Sequence, residues 1–149
     1  MDGQELSQLI EDRWSTLHQL LEISSRQMDA IRGGRMSELM RLLSEKQKPL
    51  TQLVAVADQI RLASEDDHAA RHWQSDTQRQ RCREQQEECE RMHLELLAIE
   101  AECETALQHS RATLAQRIDR IDTGQAAAKG YASVDRPPAS GATLDLSSL

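Results

Sequence analysis

The chain has 149 residues, a net charge of −7, no Phe, two Trp and one Tyr. That charge argues against a nucleic-acid partner, which needs clustered Lys and Arg; Arg79, Arg81 and Arg83 do cluster, but Glu84, Glu87 and Glu88 follow at once and make a solvated helix face. The scarcity of aromatic and β-branched residues argues against a sheet, and the excess of Leu, Ala, Met, Glu, Gln and Arg argues for helices with a thin aliphatic core.

The first predicted helix covers about residues 4–32. Its apolar row reads Leu6, Ile10, Trp14, Leu17, Leu21, Ser24, Met28 and Ile31, in steps of three and four that keep one helix face. A second row, Leu9, Leu20 and Ile23, widens that face beyond a two-stranded seam and suits a bundle of three or more helices. Gly33-Gly34 then breaks the phase. Two glycines inside a helix cost about 2 kcal/mol relative to alanine, so a tight turn between antiparallel helices is expected there.

The second helix is expected over about 36–63, with a row of Met36, Leu39, Leu43, Lys46, Leu50, Leu53, Ala57 and Ile60. Pro49 removes a backbone hydrogen bond in its middle and predicts a kink with loose packing. Lys46 sits on the apolar row, where its stem is expected to snorkel toward water.

Ser64-Glu65-Asp66-Asp67 reads as a helix start, with Ser64 or Asp67 as cap. The third helix is then expected over about 69–122. Its row is Cys89, Met92, Leu96, Ile99, Cys103, Leu107, Ser110, Leu114, Ile118 and Ile121, and Cys82, Cys89, Leu96 and Cys103 step by seven. The first two helices would each be about 42 Å long and the third about 80 Å. Running antiparallel to the second, the third would pass the glycine turn near Leu97 and carry its most apolar part beyond the hairpin. Thr123-Gly124 is expected to end it, leaving 124–149 as a flexible tail rich in Ala, Ser, Gly and Pro. The fold class expected is therefore all-α: an elongated antiparallel helical hairpin or three-helix bundle over 1–123, with a long third helix and a disordered C-terminal tail.

Little in the chain carries chemistry. His68 and His72, and Cys89 and His93, have helical metal-pair spacing but lie too far apart to share an ion. No Gly-rich phosphate loop and no nucleophile elbow occur, and a shallow bundle gives the cysteines no dry pocket. No enzyme activity, cofactor or metal is expected. The three cysteines form no C-x-x-C pair, which reads as a reduced cytoplasm. The opening Met1-Asp2-Gly3-Gln4-Glu5 has no basic and apolar signal pattern, and no apolar run approaches the roughly 18 residues of a membrane span. The acidic run from Glu84 to Glu104 can steer a basic partner.

One resemblance stands beside this reading. Leu20-Leu21-Glu22, Met28-Asp29-Ala30-Ile31, Gly33-Gly34, Glu38-Leu39, Leu42-Leu43, Glu45-Lys46, Leu50 and Leu53 together resemble the FlgN-type flagellar export chaperones. The departures are Pro49 and the long polar start of the third helix. The resemblance implies a cytoplasmic chaperone that holds amphipathic terminal helices of flagellar hook-filament junction proteins before type III export, with the export apparatus as a further partner. The overhanging face of Cys103, Leu107, Leu114, Ile118 and Ile121 is expected to accept the client helix. Tyr131, Leu144 and Leu146 of the tail are expected to clasp it. The alternative is a structural coiled-coil homodimer or adaptor, in which the overhanging rows pair two chains; weak self-association is compatible with either reading.

Overall fold

A computed structural model of the chain describes residues 1–65 and 71–132. Among them are three helices and no strand: α1 (Gly3–Arg32), α2 (Met36–Ser64) and α3 (Asp76–Ala132). Helix α1 starts at a capping box, in which the Asp2 side chain accepts from the Glu5 amide and the Glu5 side chain accepts from the Asp2 amide. It stops in a Schellman arrangement: the Gly34 amide donates to Ile31 and the Arg35 amide to Ala30. Gly34 adopts φ 68°, the left-handed conformation that this ending requires. The glycine pair thus makes the expected turn.

The third helix departs from expectation at both ends. It begins at Asp76, not near 69, because Ser75 caps it by accepting from the Gln78 amide at 3.1 Å, while the Gln78 side chain accepts from the Gln74 amide at 2.8 Å. Ser64 belongs to the last turn of α2, where its hydroxyl donates to the Arg61 carbonyl, and Asp67 lies outside the described residues. The helix then runs through Gly124 to Ala132 without interruption. One glycine costs about 1 kcal/mol, and the following Gln125-Ala126-Ala127-Ala128 are strong helix formers. The polar stretch 76–88 is helical throughout, so α3 has 57 residues and is about 85 Å long, against 30 residues and about 45 Å for α1.

Helix α1 is the middle of the assembly. It packs along both α2 and α3, whereas α2 and α3 approach each other closely at few points. Contacts run from Gln4–Gln74 to Ser24–Glu100, so α3 is parallel to α1 and antiparallel to α2. At the open end of the bundle the Gly3 amide donates to the His72 carbonyl at 2.7 Å, and a methyl on Gly3 would lie 2.6 Å from the Trp73 ring. Glycine is what lets the returning chain lie on the start of α1.

The core falls into two blocks. One gathers Leu6, Ile10, Leu17, Leu20, Ala63, Cys82, Cys89, Met92 and Leu96. The other, near the turn, gathers Met28, Ala30, Ile31, Leu39, Leu42 and Cys103. Between them lies a polar layer drawn from all three helices. Lys46 does not snorkel outward: it is 5% exposed, its ammonium donates to Gln27 at 3.1 Å and to Glu100, and Glu100 also accepts from Ser24 at 2.7 Å. Pro49 is buried within a continuous α2. Looseness appears only past it, where Thr51 to Leu62 contains no buried residue and Val54 stands exposed.

Candidate functional site

Because α3 starts later than expected, it passes the turn near Leu107 to Arg111 and not near Leu97. Cys103 therefore lies inside the bundle, 2% exposed, with its thiol 3.8 Å from the Ser24 carbonyl. It is not part of an exposed face. Leu107 is half-buried against the block nearest the turn. Leu114, Ile118 and Ile121 do project: they are 43%, 44% and 58% exposed, and every residue from Leu114 to Ala128 is exposed. Tyr131 falls within α3 and not in a tail. Leu144 and Leu146 lie outside the described residues.

Directly before the overhang is a concavity of about 710 Å³. Its floor is Gln27 and Ile31 of α1. One wall is Leu39 and Leu43 of α2, and the other runs along α3 from Leu97 through Ala101, Glu104 and Leu107 to Arg111. It exists because α2 and α3 both lean on α1 and not on each other. Its size is that of a ligand pocket, but it is open along its length and edged by Glu100, Glu104, Gln108 and Arg111, which suits a helix better than a small molecule. Leu97, 53% exposed, continues its apolar wall. The sequence carries no site signal for Leu43 and Leu97, since Leu43 reads as core and Leu97 falls off the row that carries the cysteines.

The acidic run divides by role. Glu90 pairs with Arg13 at 2.9 Å and Glu100 with Lys46, so these two hold the bundle. Glu84, Glu87, Glu95, Glu102 and Glu104 are exposed. A second, smaller cavity of about 210 Å³ at the open end is lined by Trp73 and Cys82 with Arg71, Arg79 and Arg83. No group of residues able to hold a metal ion occurs among the described residues, and no helix among them is long and apolar enough to cross a membrane. No family model, curated protein or solved structure matches the chain.

The thiols serve packing. Cys82, Cys89 and Cys103 are free and buried, and burial pushes the pKa of each up, that of Cys89 from 9.0 to about 11. Reactive cysteines show the opposite shift. The sign fixes a pH dependence. The folded state favours the neutral thiol, so the contribution of Cys89 is whole below pH 9 and is lost as pH climbs through about 11. The expected melting temperature falls over that window, and Cys89→Ala flattens the fall. Equal slopes in the two proteins would show that Cys89 does not contribute.

Proposed function

We propose that the protein is a chaperone for amphipathic helices, with the groove between α2 and α3 and the α3 overhang as one binding face. The single observation that carries this reading is the exposed apolar row Leu114, Ile118 and Ile121, which follows directly on a groove lined by Leu43, Leu97 and Leu107 and which the described chain leaves open. A monomer rarely exposes so long an apolar strip without a partner for it. A client helix with apolar residues at i, i+3, i+4 and i+7 fits such a strip, and basic residues on its flanks complement the exposed glutamates. The likeness of Leu20 to Ser64 to FlgN-type chaperones supplies the client class: terminal helices of flagellar hook-filament junction proteins, held in the cytoplasm before type III export.

The test uses a synthetic amphipathic peptide with leucines at that spacing and lysines on its flanks. Binding by the full chain is expected, and Leu114→Asp is expected to abolish it with helix content unchanged, since Leu114 supports no core contact. A peptide that does not bind ends the reading. A collapse of the thermal transition in the variant would place Leu114 in the core and end it equally.

A further inference from the structure

The floor of the groove carries a hydrogen-bonding group that the described chain leaves unused. Gln27 lines the groove and is 7% exposed. Lys46 fixes which way its carboxamide points. An ammonium only donates, so the Gln27 oxygen faces Nζ, at 3.1 Å, and the amide nitrogen is turned away. That nitrogen donates to nothing among the described residues. Glu100, on the α3 wall of the same groove, is its complement. Oε1 of Glu100 accepts from both Lys46 and Ser24, whereas Oε2 accepts from nothing among the described residues. One ammonium holds both residues, so the free donor and the free acceptor belong to neighbouring groups.

We propose that the groove reads a carboxamide: the client helix carries a Gln or Asn in its apolar row where that row meets Gln27 and Glu100. This deepens the chaperone reading and rests on it. While the groove is open, water serves both groups. A helix that fills the groove expels that water and has to replace both bonds, because a donor sealed in without a partner keeps its desolvation cost. A leucine there strands both groups. A carboxylate answers Gln27 but meets the charge of Glu100, and an ammonium answers Glu100 but strands the Gln27 donor and sets a second cation beside Lys46. A carboxamide supplies an oxygen for Gln27 and an amide nitrogen for Glu100 on separate atoms.

The polar level is narrow. Ile31 lies one turn beyond Gln27 on α1, about 6 Å along the helix, and Leu39 and Leu107 line the same cavity. Apolar contact therefore resumes one turn along the client, and the selection falls on a single position of its row.

The test uses the lysine-flanked leucine peptide and a set in which each central leucine in turn is replaced by Gln. Titration calorimetry ranks them against the full chain. One Gln peptide is expected to bind about tenfold tighter than the leucine parent, and the others more weakly. Glu or Lys at the favoured position should lose the gain. Gln27→Met keeps the length of the side chain and removes the donor, so it should abolish the preference while the leucine parent still binds. A preference that survives Gln27→Met overturns the inference, as does a wild-type chain that binds the leucine parent tighter than every Gln peptide. The wild-type ranking needs no variant, so it decides even where Gln27→Met fails to fold. Binding of the leucine parent with no preference removes this inference and leaves the chaperone reading. No binding by any peptide removes both.

Discussion

Leu20→Ala is expected to lower the unfolding free energy by about 3–4 kcal/mol. Leu20 is 0% exposed and belongs to the larger core block, where α1 meets α3. The block itself is built of Leu, Ile, Ala, Cys and Met, and its aromatic rings, Trp14 and Trp73, are only partly buried at its margin. A fully buried leucine in such a site loses both its transfer energy and its packing. Urea denaturation measures the change. Leu94→Ala, on a leucine that is 66% exposed, is the matched control and should fall within about 0.5 kcal/mol of the parent. If the two variants lose similar stability, α1 is not the centre of the bundle.

Lys46→Ala is expected to cost about 2–3 kcal/mol, and Lys46→Met less than half as much. The alanine removes a long stem from a buried place and takes the cation from Glu100 and Gln27 together. The methionine keeps the stem. Glu100 is 36% exposed at its side chain, so it can turn to water once the ammonium is gone, and the cost of an abandoned charge stays small. The ordering of the two variants is the decisive result. Equal losses would mean that the ion pair, and not the volume, stabilises the layer. In this layer side chains of all three helices hydrogen-bond to one another between the apolar blocks, and a satisfied polar network of that kind favours one register of the helices over others.

Much of this was legible in the residues. The apolar row of α1 is legible position by position, since its steps of three and four keep one face, and its members are buried or half-buried. The glycine turn was legible because a phase break and two glycines coincide. The cysteine face was legible because a step of seven keeps one side of a helix. The start of α3 was misplaced because the acidic Ser64-Glu65-Asp66-Asp67 run is a louder signal than Ser75, although Ser75-Asp76-Thr77-Gln78 has the spacing of a capping box. That shift of about seven residues moved Cys103 from the imagined overhang into the core. The end of α3 was misplaced because Gly124 reads as a stop by itself, whereas the alanines after it extend the helix.

Lys46 shows a different limit. A cation on an apolar row announces a problem, but its solution, Glu100, lies on another helix and on a face read as solvated. Tertiary pairing of that kind leaves no mark in periodicity. The groove was hidden for a similar reason. Each of its walls reads as ordinary helix surface, and only the preference of α2 and α3 for α1 over each other opens the space between them.

The contact between Gly3 and His72 has a consequence for how the molecule comes apart. Helix ends ordinarily fray alone, one turn at a time. Here the first turn of α1 and the approach to α3 are buttoned together by a backbone bond across 69 positions of chain. Neither end can peel back until the other lets go, and any side chain at position 3 would undo both at one stroke.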